Sequence, residues 1–189
     1  LLTEKLGGPS IMPYQPEGLW EELTHTAKYK QDHGEDLYRR SLYVYWRRTI
    51  PPPGMSNFDA AAREICTVRQ VRTNTPLQAL TLLNDITYVE AARALAQRVR
   101  REAGSDPEKQ IALAFRLATS RVPTAAELKL LLAGYERYRE RYVEDTAAAE
   151  KLLKVGEAPV DMQCDPAALA AATLTCSVIL NLDETVTKQ

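Results

Sequence analysis

From Ala167 to Leu182 the chain is apolar nearly all round, and Asp165-Pro166 stands directly before that run as an N-cap and first helical residue. A helix with no polar face has to be covered on every side, so this segment predicts the buried centre of a helical bundle. The run is about 16 residues, short of the roughly 20 that a spanning helix needs, and Thr173, Thr175 and Ser177 interrupt it. No membrane span is predicted.

The helices that would cover it are marked upstream. Thr75-Pro76 reads as N-cap and first helical residue, followed by Leu77, Leu80 and Leu83. Asn84-Asp85 breaks that helix, and Val89, Ala92, Leu95, Ala96 and Val99 form the next apolar stripe, which Gly104 stops. Asp106-Pro107 opens another, with Ile111, Ala114, Phe115 and Ala118 on one face. Thr124-Ala125-Ala126-Glu127 is a capping box, whose hydroxyl and carboxylate each satisfy an otherwise orphaned backbone N–H. Its helix carries Leu128, Leu131, Leu132, Tyr135, Tyr138 and Tyr142, and is expected to reach Leu152 with a bend near Asp145. Residues 156–165 read as a loop.

Before Thr75 the pattern is less regular. Gly7-Gly8-Pro9-Ser10, Pro13 and Pro16 interrupt regular structure, and Pro16 predicts a short helix through Leu19, Trp20 and Leu23. Asp36 reads as the N-cap of a helix over Leu37–Arg48, although Tyr43-Val44-Tyr45-Trp46 also has strand character. Thr49 to Asn57, with Pro51-Pro52-Pro53 and Gly54, reads as a loop, and 58–74 have no clean period. The expected fold is all-α: an irregular helical bundle with a buried C-terminal helix and a long irregular, arginine-rich N-terminal half. One domain over 1–189 is expected, with 1–74 packed on 75–189. The chain opens at Leu1 rather than Met, so it is expected to be a piece of a longer polypeptide.

Charge is informative locally, not globally. Across 189 residues, 24 Lys plus Arg face 25 Asp plus Glu, a net charge of −1. A globally basic nucleic-acid binder is therefore not the default. Within Tyr38–Thr75, however, Arg39, Arg40, Arg47, Arg48, Arg63, Arg69 and Arg72 face only Asp59 and Glu64, a local charge of +5. Lysine is absent between Gln31 and Glu108. Arginine rather than lysine suits planar, bidentate contacts to carboxylate, sulfate or phosphate. Tyr38, Tyr43, Tyr45, Trp46 and Phe58 could stack on the guanidinium planes.

The favoured reading is an internal network, with these arginines bonded to backbone carbonyls and to Asp32, Glu35, Asp36 and Asp59. An anion site for a sulfated or carboxylated ligand is the second. Nucleic acid and a protein interface are the remaining two. Arg39, Arg40, Arg63, Arg69 and Arg72 are expected to converge, with Asp36 and Asp59 as their nearest acidic partners and Asn84 and Asp85 as further acceptors. The five arginines with Asp36 and Asp59 are the candidate ligand-binding set or ion-pair network. Asp32-His33-Gly34-Glu35-Asp36 matches no zinc or EF-hand spacing, so no metal site is predicted. Cys66, Cys164 and Cys176 are odd in number, which argues against a complete disulfide framework, and Cys176 is expected to be buried and inert. No Gly-rich phosphate loop, Cys-x-x-Cys-His haem motif or nucleophile–base motif occurs.

Longer motifs carry a resemblance. Gly8-Pro9-Ser10, Tyr14-Gln15-Pro16-Glu17-Gly18-Leu19-Trp20 and Asp36-Leu37-Tyr38-Arg39-Arg40-Ser41-Leu42-Tyr43 are three of them. Phe58-Asp59, Cys66-Thr67-Val68-Arg69, Arg72-Thr73-Asn74-Thr75-Pro76-Leu77-Gln78-Ala79-Leu80, Leu83-Asn84-Asp85 and Leu180-Asn181-Leu182-Asp183-Glu184 are the others. Together they resemble the C-terminal domain of planctomycete cytochrome c-associated surface proteins, a domain of unknown function. Ile86 and Thr185 stand where the resemblance would place other residues. The resemblance implies an exported, periplasmic or cell-surface location. It also implies a parent chain with an upstream cytochrome c-like, haem-binding domain as partner, and no cofactor in this piece. It implies no catalytic residues. The expected function is a non-catalytic structural or interaction module; the alternative is an enzyme or binding domain for an anionic, sulfated or uronate polysaccharide, with Asp36, Asp59 or Glu64 as acid or base.

Overall fold

The computed structural model describes residues 1–24, 28–61, 66, 68, 73–161 and 163–187. The chain divides into two compact units, Leu1–Gln78 and Ala79–Gln189. The fold is all-α: among the described residues there is no strand, only three isolated bridges.

In the first unit, α1 (Leu19–Thr24) and α2 (Pro53–Asn57) are short. Gly18, at φ +79°, turns the chain just before α1, so the helix begins at Leu19 rather than at Pro16. Pro53 starts α2 inside what reads as a loop, because a proline at the first helical position loses no intrahelical hydrogen bond. The expected helix over Leu37–Arg48 is not formed. Two 3-10 turns, Gly34–Tyr38 and Ser41–Tyr43, stand there with extended residues between and after them. The cause lies in the N-terminal segment, which pairs with this stretch through its backbone. Thr3 N–H donates to Tyr38 O at 2.8 Å, Ile11 N–H to Tyr43 O at 2.8 Å, and Tyr45 N–H to Ile11 O at 2.8 Å. These bonds take up groups that a helix would need internally. Ile11, Trp20, Leu37 and Ile50 are the buried apolar residues among those described in the unit.

α3 (Pro76–Asn84) straddles the boundary between the units in sequence. Thr75 and Gln78 close its first turn reciprocally, with Gln78 N–H donating to Thr75 Oγ1 and Thr75 N–H to Gln78 Oε1. Its expected stripe lies outward, since Leu77, Leu80 and Leu83 are exposed whereas Gln78 and Leu82, four apart, are buried.

The second unit is the bundle. α4 (Ile86–Ala103), α5 (Pro107–Thr119), α6 (Ala125–Glu144) and α7 (Thr146–Leu153) all pack against α8 (Pro166–Leu180), and α9 (Asp183–Val186) follows. Asp85, Asp106, Thr124, Asp145 and Asp165 cap α4 to α8 in turn through side-chain oxygens on the first-turn N–H groups. Gly104, at φ +78°, ends α4. The predicted bend at Asp145 is a true break, because its carboxylate caps α7 while its own N–H ends α6. Phe115, Leu169, Ala170, Ala171, Cys176 and Ile179 lie in the apolar core that α8 completes. No helix among the described residues is long and apolar enough to cross a membrane.

Candidate functional site

The predicted set of charged residues is only partly described. Arg63, Arg69 and Arg72, together with Glu64, lie outside the described residues. Arg39 is 6% exposed and acts as a clamp on the N-terminal segment. Its guanidinium donates to the carbonyls of Pro9 at 3.1 Å, Lys5 at 3.4 Å and Gly7, and lies 3.8 Å from the centroid of the Tyr43 ring. A buried cation thus meets four groups of its own chain, and Gly7 N–H donates to the Tyr43 hydroxyl beside it. Arg40, the next residue, is exposed.

Asp36 and Asp59 are the carboxylates of the set. Asp36 lies half-buried in the first 3-10 turn. Asp59, at φ +58°, accepts from Thr73 N–H at 2.7 Å and from the Thr73 hydroxyl at 2.9 Å. Asn84 donates to Leu80 O, and Asp85 accepts from Thr87 N–H. Both close helix ends. Asp32 accepts from Met12 N–H at 2.6 Å. Nearby, Arg47 stacks on Trp20, whose ring meets Tyr29 and Tyr45. Burial, with Asp32 adding to it, pushes the Tyr29 hydroxyl pKa upward.

Two further arginine sites were not picked out by sequence reasoning. Within α4, Arg93 is 1% exposed and Glu90 0%, and they face the segment after α7. Arg93 donates to Leu153 O at 2.6 Å, Val155 O at 2.6 Å and Ala158 O at 2.8 Å, and pairs with Glu90 at 3.5 Å. Glu90 in turn accepts from Ala158 N–H at 2.6 Å. Gly156, at φ +75°, lies against the Glu90 carboxylate so closely that a Cβ there would overlap it. The available signal was a Glu-x-x-Arg pair on an otherwise apolar, alanine-rich stripe.

Between α5 and α6, Arg121 joins two segments. It donates to Glu127 at 2.7 and 2.9 Å and to both Glu184 oxygens at 2.7 Å, and its guanidinium stacks on Phe115. Those bonds, with two more from Thr124, hold the Glu127 carboxyl down at about 2 and depress Glu184 as well.

Residues 1–135 match the family model described as Protein of unknown function (DUF1553). The chain belongs to the DUF1553 family. No curated protein and no solved structure matches it. The DUF1553 span includes the Arg39 clamp and the Glu90–Arg93 pair, and ends within α6, before the 153–158 segment that Arg93 holds. Among the described residues, no group of three His, Cys, Asp or Glu side chains is arranged to hold a metal ion. Cys66 is exposed, whereas Cys164 and Cys176 are buried; all three are free thiols. Burial raises the Cys176 thiol to about 12, leaving it protonated at neutral pH.

Proposed function

We propose that this DUF1553 chain is a non-catalytic structural or interaction module. The observation that carries the reading is the use of its guanidinium groups. Arg39 and Arg93 are buried and bonded to carbonyls of their own unit, and Arg121 is held by two carboxylates. Arginines so engaged fasten irregular chain and leave little donor capacity for an external anion. The sequence resemblance supports a wider context, in which the module belongs to an exported, haem-associated planctomycete surface protein and has a cytochrome c-like domain as neighbour.

That context is tested by an antibody against this chain, used on fractionated cells of its source. The expected result is a band larger than the chain itself, in the exported fraction and positive for haem staining. A haem-free cytoplasmic band would contradict it. Polysaccharide chemistry is the competing function, and the same protein screened on a glycan array tests it: saturable binding to sulfated or uronate glycans would favour that reading over a purely structural one.

A further inference from the structure

We propose that the cleft between α6 and α8 binds a small apolar carboxylate. The cleft has a volume of about 240 Å³, and its walls are Leu131, Ala133 and Val178, with Gly134 as its floor and Arg137 and Tyr138 on its polar side. An apolar cavity of about 150 Å³ admits benzene, so this one has room for a two-ring body or a short hydrocarbon chain. Arg137 and Ala133 are exposed, which leaves the cleft open to solvent without any rearrangement.

Gly134 is the informative residue. Glycine is disfavoured inside a helix, yet Gly134 sits in the middle of α6. The packing does not require it: a Cβ there would meet only Tyr138 Cε2, at 3.9 Å, an ordinary contact. What the missing side chain provides is the depth of the cleft.

The polar side defines the occupant. Arg137 has no ion pair and Tyr138 no hydrogen bond to any described residue, so both side chains have donor capacity to spare. Among the lining side chains Arg137 carries the only charge, while Glu140 and Arg141, three and four residues further on, offset one another. A guanidinium fork and a phenol hydroxyl beside an apolar floor match a carboxylate that carries an apolar body. An ammonium in the same position would meet repulsion.

The test is titration of the ¹⁵N-labelled protein with naphthoate and, separately, with naphthylmethylammonium, reading the Gly134 amide. Saturable shifts with naphthoate, and an affinity about 1.5- to fivefold above that for the cation, are expected, as befits one exposed ion pair. Gly134→Leu fills the floor while favouring the helix, and should abolish the saturable shift; Arg137→Gln should make the two probes equal. Were Gly134→Leu to lose its helical circular dichroism, Val178→Phe closes the cleft from α8. No saturable naphthoate shift, equal or tighter binding of the cation, or undiminished binding in a folded cleft-filling variant would overturn the proposal.

Discussion

Replacing Arg93 by alanine probes the most deeply buried cation among the described residues of the bundle. The substitution removes three bonds to the carbonyls of Leu153, Val155 and Ala158 and the pairing with Glu90. Glu90, fully buried, loses the Arg93 guanidinium and keeps its bond from Ala158 N–H. Breaking a buried pair from one side typically costs about 3–5 kcal/mol, because the remaining charge stays in a low dielectric. Set against the usual 5–15 kcal/mol of a whole domain, that is a large fraction. The expected fall in Tm is roughly 6–20 °C at about 2–4 °C per kcal/mol for a chain of this size. Urea unfolding followed by far-UV circular dichroism measures it as a lower midpoint at unchanged slope. The charge argument makes a second, sharper demand. Glu90→Gln/Arg93→Met, which removes both charges, should be more stable than Arg93→Met alone. A loss below about 1 kcal/mol for Arg93→Ala, or a double variant no better than the single, would refute the reasoning.

Three other outcomes follow from the same geometry. Gly156→Ala should destabilise the protein by more than about 1 kcal/mol in urea unfolding, since the Cβ is placed against Glu90 at a positive φ. Arg39→Ala should expose the segment around Gly7–Pro9 to limited proteolysis while the bundle's helical signal persists, because its three carbonyl bonds tie that segment down. Glu127 has a folded pKa of about 2 against an ordinary 4.5, so its stabilising contribution is complete above 4.5 and is lost as pH falls through about 2. Acid titration of stability in Glu127→Gln should therefore be flatter across that window than in wild type.

The bundle was legible because its signals are local. Asp106-Pro107, Thr124-x-x-Glu127 and Asp165-Pro166 are short caps acting within one turn, and the apolar run after Pro166 admits only a buried position. Leu37–Arg48 was misread because its conformation depends on Thr3 and Ile11, some thirty-odd residues earlier, whose backbone bonds hold it extended. The helix α3 was legible from Thr75-Pro76, but not its orientation. An i, i+3 run of leucines marks a face but not which way it turns, and Gln78 turns the other face inward through bonds to Asn57 O and Thr73. Arg39 stood out from its aromatic and arginine-rich surroundings. Arg93 did not, since its partners are carbonyls about sixty residues away and carbonyls leave no trace in side-chain composition.

The function proposed for this chain is a non-catalytic structural or interaction module. A turnover screen on sulfated and uronate polysaccharides, followed by product size over many equivalents of substrate, tests it most directly. The account predicts no multiple turnover and identical traces for wild type and Asp59→Asn. Multiple turnovers that disappear in Asp59→Asn, with the fold retained, would contradict it.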